Sequence, residues 1–214
     1  MRFGQLFLNV KKTPLHLLKN KIMKIAIIDN YDSFVFNLVR YVKESEGVTE
    51  TKVMRNDEVD YEYLDKCDGI LLSPGPGIPS EAGDLLKIIG RYENQKSILG
   101  VCLGHQAIGE FYLGQLEAAP KIYHGKSTPI EIDTTALLFE GISSPFTVGR
   151  YHSWQVKQNL PEQLKSTGHD EDGHIMAFEH KTQPIYGVQF HPESVLTPNG
   201  RQVITNWIKS CKKY

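Results

Sequence analysis

The chain has 214 residues, a length that suits one domain better than two. Its 24 Lys and Arg against 25 Asp and Glu leave a formal net charge of −1. That balance excludes a nucleic-acid binder carried by bulk positive charge and a disordered acidic tail. With 40% hydrophobic and 23% charged residues, the composition is that of a folded domain large enough to need neither disulfides nor a metal.

Three cysteines, Cys67, Cys102 and Cys211, stand far apart with no C-x-x-C pair, which suits a reducing compartment and places the expected location in the cytoplasm. No apolar run approaches the ~18 residues that a membrane span requires. Residues 1–22 are basic (Arg2, Lys11, Lys12, Lys19, Lys21) and contain no acidic residue. Their apolar patch at 7–10 is too short for a secretory core, and no small-residue cleavage site follows. They read as an extension ahead of a domain covering 23–214.

From Met23 strands and helices alternate. Residues 24–28 (KIAII) form an apolar strand, followed by the polar turn Asp29-Asn30-Tyr31-Asp32. Ser33 is the expected N-cap of a helix through Phe34, Leu38, Tyr41 and Val42. Strands are predicted at 51–55, 69–73 (GILLS) and 97–101 (SILGV), with helices at 81–92 and 104–112. Short β-like runs follow at 130–132, 146–149, 153–156 and 175–178, with Asp172-Gly173 as a hairpin signal. Residues 185–190 (IYGVQF) look like a returning core strand, and 199–212 a closing helix whose terminal Cys211 is expected to be exposed. The pattern predicts a single α/β domain: a doubly wound, mostly parallel sheet flanked by helices, with a small antiparallel β excursion.

Chemistry-bearing residues gather after three predicted strands, where parallel sheets form sites. Gly100-Val101-Cys102-Leu103-Gly104 has the form G-x-nucleophile-x-G between strand and helix. Small residues permit the sharp turn that lifts a nucleophile clear, and unpaired N–H groups at the helix start favour a thiolate. His191-Pro192-Glu193 follows the last strand and supplies a base and its orienting acid from one turn. Ser73-Pro74-Gly75-Pro76-Gly77 is a rigid loop of bare backbone, suited to donating N–H groups to an oxyanion together with Leu103. Taken singly, these are a buried cysteine, a surface His–carboxylate pair and a tight turn; the strand-to-helix elbow favours the chemical reading of all three. Cys102, His105, His191 and Glu193 could in principle surround zinc, but no second C-x-x-C or H-x-x-x-H pair accompanies them. His105 instead is expected to close the elbow or cap the helix. A cysteine hydrolase or peptidase would use the same residues, because Cys–His–acid does not name the acyl group attacked.

The chain resembles the triad-type, class I glutamine amidotransferases. The matching stretches are IDNYDSFVFNL (28–38), RND (55–57), LSPGPGIP (72–79), ILGVCLGHQAI (98–108), HGK (124–126), RYHSW (150–154) and GVQFHPES (187–194). Within that family it is similar to the amidotransferase components of anthranilate synthase and of aminodeoxychorismate synthase. The resemblance implies that Cys102 attacks the side-chain amide of L-glutamine, that His191 is the base and then the acid, and that Glu193 orients His191. It further implies that Gly75, Pro76, Gly77 and Leu103 line the oxyanion site, and that Gln106, Ser153 and Trp154 hold the amino and carboxylate ends of glutamine. It implies no cofactor in this subunit, magnesium in the partner, and a hetero-oligomer with a chorismate-using synthase, in tryptophan or folate synthesis or shared between them. The turn at Asn30–Phe34 and the segment His124–Lys126 are expected to serve that partner. Two positions depart from the family: Trp154, where an aliphatic residue is usual, and Leu113-Gly114-Gln115, where Gly-Gly is common.

Overall fold

The computed structural model describes residues 23–211, so the expected extension over 1–22 and the end of the predicted closing helix lie outside them. In chain order the elements are β1 (Met23–Asp29), α1 (Val35–Lys43), β2 (Val48–Arg55), α2 (Tyr61–Asp65), β3 (Gly69–Leu72), a 3-10 turn at Pro79–Glu81, α3 (Leu85–Tyr92), β4 (Ser97–Val101) and α4 (Leu103–Phe111). There follow β5 (Leu116–Ala118), β6 (Lys126–Ile132), a 3-10 turn at Leu137–Phe139, β7 (Phe146–Arg150), β8 (Trp154–Val156), β9 (Leu164–His169), β10 (Ile175–His180), β11 (Ile185–Val188) and α5 (Gly200–Cys211).

Nine strands make one sheet in the order β2-β1-β3-β4-β11-β10-β9-β6-β7. The first five run parallel; the antiparallel excursion continues the same sheet through the β10–β11, β9–β10, β6–β9 and β6–β7 pairs. β5 and β8 form a separate two-stranded ribbon. The parallel strands are apolar throughout because both faces are covered, and alternate residues serve opposite layers. Ile25, Ile27, Leu71, Leu99 and Val101 pack with α1 and α5; Ala26, Ile28, Ile70, Leu72 and Ile98 pack with α2, α3 and α4. The chain leaves β1 towards β2 on one side and returns through β3 on the other, so a crevice opens at the carboxyl ends of β1, β3 and β4.

Several expectations change in detail. Ser33 is not the N-cap: Phe34 occupies that position without a side-chain bond, and Asp32 Oδ2 accepts the Phe34 N–H at 3.0 Å. The helix expected from 81 begins at Leu85, because Gly83 at φ +54° breaks the run where it packs on the Asn56 backbone. β9, with the polar sequence LKSTGH, completes the hairpin that Asp172-Gly173 signals; its partner β10 is the only arm that the apolar pattern predicts. Cys211 is buried rather than exposed, with its sulfur where a Cβ on Gly69 would lie, and burial pushes its thiol up to about 12. Cys67 is likewise buried and pushed up to about 11.

Candidate active site

Cys102 sits between β4 and α4 at φ 51° and ψ −99°, a backbone conformation that costs a non-glycine residue about 1–3 kcal/mol. The surroundings hold it there. Its N–H donates to Val188 O of β11 at 2.8 Å, and its own carbonyl accepts the Gln106 N–H at 3.0 Å. A Cβ on Gly100 would collide with the Gly104 backbone, and one on Gly104 with the Leu72 carbonyl. Both glycines are therefore sterically required for the elbow. The first N–H groups of α4 have no partner within the helix and favour negative charge beside the sulfur.

His191 follows β11 and is fixed through its backbone. Its N–H donates to Gly149 O at 3.0 Å, and its carbonyl accepts the Thr197 hydroxyl at 2.7 Å. Its Nδ1 lies 2.6 Å from Glu193 Oε1, with both side chains buried. A carboxylate only accepts, so Nδ1 carries the proton and Nε2 is left as the working nitrogen. Nε2 has no formed hydrogen bond and stands within electrostatic reach of the Cys102 sulfur. Burial opposes charging of His191, but Cys102 and Glu193 outweigh it and hold its pKa well above 6.5. Tyr151 packs against the imidazole, with ring centroids 4.9 Å apart, and its hydroxyl meets Ser194 Oγ at 3.0 Å.

The 73–77 loop is tied to the turn after β1. Asn30 N–H donates to Ser73 Oγ at 2.9 Å, and Asn30 Nδ2 donates to Ser73 O at 2.7 Å. Gly75 has no room for a side chain between Asn30 and Leu103. A cleft of about 530 Å³ opens here, lined by Gly75, Pro76, Cys102, His191 and Glu193 among the expected residues. Tyr31, Asp32, Phe34, His124 and Val195 also line it, and burial, followed by the charge of Glu193, raises the Asp32 pKa.

Gly77, Leu103, Gln106, Ser153 and Trp154 do not line this cleft. Gln106 is buried behind Cys102, and its Nε2 donates to Trp154 O at 2.8 Å and to Gln189 Oε1 at 3.2 Å. Trp154 is 40% exposed, and its interactions with Gln106 and His152 run through the backbone carbonyl, which any residue at this position supplies. His105 neither caps the helix nor meets Cys102. It is fully buried, stacks on Phe178 with centroids 4.3 Å apart, and burial lowers its pKa to about 3. Leu113 takes φ 70° at the end of α4 and closes it with the bonds Leu113 N–H to Glu110 O and Gly114 N–H to Gly109 O.

Sequence reasoning misses Gln189. It is fully buried, and its Nε2 donates to Cys102 Sγ at 3.7 Å. The available signal is a lone amide in the apolar run IYGVQF.

A family profile described as class-I glutamine amidotransferase matches residues 26–211. Anthranilate synthase component II of Haloarcula marismortui is 46% identical over 194 residues, covering 88% of this chain and 99% of that protein. The Bacillus subtilis aminodeoxychorismate/anthranilate synthase component 2 is 41% identical over 192 residues, covering 88% and 97%. The bifunctional protein TrpGD of Thermotoga maritima is 43% identical over 190 residues, and the chain spans only 32% of its length. Among solved structures, a Thermoplasma acidophilum protein assigned as a GMP synthase subunit superposes with a TM-score of 0.80 at 32% identity, covering 90% of this chain and 96% of that one.

Proposed function

Because this chain belongs to the class-I glutamine amidotransferase family, we propose that it is the glutaminase subunit of an anthranilate synthase, releasing ammonia to a chorismate-using partner in tryptophan synthesis. The observation that carries the catalytic part is the strained Cys102 elbow facing the free nitrogen of a buried, carboxylate-locked His191. His191 Nε2 takes the Cys102 thiol proton, the sulfur attacks the side-chain amide carbon of glutamine, and the resulting oxyanion is held by N–H groups of Leu103 and the Gly75–Gly77 loop. As the carbon–nitrogen bond breaks, the imidazolium of His191 gives its proton to the departing ammonia. Water, deprotonated by the same Nε2, then attacks the thioester, regenerating the thiol and releasing glutamate. Gln106 and the Ser153–Trp154 backbone hold the α-ammonium and α-carboxylate groups.

The partner reading rests on the component II and component 2 relatives and on the rim of the cleft. Tyr31, Phe34 and Val195 are 52%, 57% and 94% exposed there, an apolar edge suited to a second subunit that would receive ammonia away from water. The three free cysteines Cys67, Cys102 and Cys211 suit a reducing compartment, and on that ground we place the protein in the cytoplasm. The Bacillus relative, named for both syntheses, favours a second reading in which the chain also serves aminodeoxychorismate formation for folate. Reconstitution with glutamine, chorismate and magnesium, run separately with an anthranilate-type and an aminodeoxychorismate-type synthase, tests both. Anthranilate formation that requires Cys102 supports the first reading, and product with both synthases supports a shared subunit. No glutamine-dependent product with either refutes the proposal.

A further inference from the structure

Two polar side chains from the segment after β11 approach the Cys102 sulfur, and the acyl transfer uses only His191. The other is Gln189, which is fully buried and anchored by its own N–H to Met176 O of β10 at 2.9 Å. Its Nε2 lies 3.7 Å from Sγ. The residue before it, Val188, accepts the Cys102 N–H at 2.8 Å. Consecutive residues of one segment therefore hold the backbone and the sulfur of the nucleophile.

The remaining hydrogen bonds decide which end of each amide faces the sulfur. The Trp154 carbonyl can only accept, so Gln106 turns its Nε2 group there, at 2.8 Å. The same group also donates to the Gln189 side-chain oxygen at 3.2 Å. Gln189 must then meet Gln106 with Oε1 and the sulfur with Nε2. A neutral thiol is a weak acceptor, whereas a thiolate takes a charge-assisted bond. The donor thus favours the ionised sulfur.

We propose that Gln189 is a further catalytic residue, a donor to the Cys102 sulfur that sets the pH at which the thiolate forms. This deepens the glutaminase reading and rests on it. When the thiol proton passes to His191 Nε2, the charge left on sulfur is shared between the imidazolium and the Gln189 amide. As the sulfur–carbon bond to the substrate forms, that charge moves to the substrate oxygen and the Gln189 bond weakens. Hydrolysis of the thioester restores it. The titratable groups on the cleft are His191 and Glu193 after β11, Asp32 and Tyr31 after β1, His124 ahead of β6 and Tyr151 after β7. The 73–77 loop brings none, and His105 of α4 is turned to Phe178. Gln189 carries no charge, so replacing it leaves all of these in place.

The test compares full-length wild type, Gln189→Met and Gln189→Leu. Both variants remove the donor without adding charge, and they fill the space differently. Alkylation by iodoacetamide is followed from about pH 5 to 9, where the thiolate is the reacting form. Cys67 and Cys211, pushed up to about 11 and about 12 by burial, stay protonated there, so labelling reports Cys102. In each variant the acid limb of the profile should move up by about one pH unit. Below the limb alkylation should slow about threefold, and the plateau above it should rise about threefold, because a more basic thiolate is the better nucleophile. The profiles of wild type and variant therefore cross, whereas a merely loosened site scales the whole profile and leaves its limb in place. The acid limb of kcat/KM for glutamine, measured with the synthase partner, should move by the same amount. An unmoved limb in either folded variant, or one that moves down, would overturn the inference while the glutaminase reading stands. A wild-type chain that the chloroketone analogue of glutamine does not label, with the alkylation profiles still crossing, would overturn the glutaminase reading and leave Gln189 as the donor to the sulfur.

Discussion

Replacing Glu193 by Gln removes one charge and almost no volume, and so isolates what the carboxylate does for His191. The two groups are 2.6 Å apart, with side chains 8% and 2% exposed, so solvent screens their attraction poorly. At an effective dielectric near 20, opposite unit charges at about 4 Å attract by ~4 kcal/mol. A neutral amide oxygen retains part of this as an ordinary hydrogen bond worth about 1 kcal/mol. The remaining loss falls on the imidazolium, whose proton both chemical steps use and substrate binding does not. It amounts to about 2–4 kcal/mol, or roughly 30- to 1,000-fold in kcat with KM nearly constant. Initial rates of glutamate release at saturating glutamine, with the synthase partner present, measure it. The same substitution tests linkage. A histidine whose folded pKa is raised contributes stability that is fully present below 6.5 and lost as pH rises through the folded value. The stability advantage of wild type over Glu193→Gln should therefore be larger at pH 6 than at pH 9. A kcat within about threefold of wild type, or a change confined to KM, would refute Glu193 as the residue that supports the imidazolium.

Other outcomes follow from the same geometry. Leu113 is 89% exposed and holds φ 70° at the left-handed closing position of α4, so Leu113→Gly should stabilise the fold, by about 1 kcal/mol at most, read as a higher Tm. His105 and His152, both lowered to about 3, make the unfolded chain bind more protons than the folded one between pH 6.5 and 3. Stability should fall with acidification across that window by up to ~1.4 kcal/mol per pH unit for each histidine, and urea midpoints for His105→Gln should show a shallower slope. Replacing Tyr31 and Asp32 together should weaken partner-stimulated turnover while leaving chloroketone labelling of Cys102 intact; loss of both would count against the rim as the docking edge.

What could be read without the fold is whatever local backbone geometry demands of residue type. The elbow at Cys102 shows in Gly100 and Gly104 because a Cβ at either position meets a carbonyl of its own strand–turn–helix or of the adjoining β3. The pairing of His191 with Glu193 shows because two residues in one turn suffice for it. The parallel core shows because strands covered on both faces must be apolar along their length. The rest depends on residues distant in the chain. Gln189 reaches a sulfur 87 positions earlier, and Asp170 meets Arg150 from another strand pair. β9 is polar enough to escape a periodicity test, and its place is fixed by the ladders it forms with β10 and β6. Cys211 looks like part of a basic tail until α5 lies across the sheet and Gly69 leaves a notch for its sulfur. Sequence alone determined the strand-to-helix elbow at Cys102, the His191–Glu193 pair and the parallel sheet that carries them. Tertiary structure decided which buried polar groups stand behind them, because an unpaired polar group inside a protein costs energy that only a partner brought in by the fold can offset.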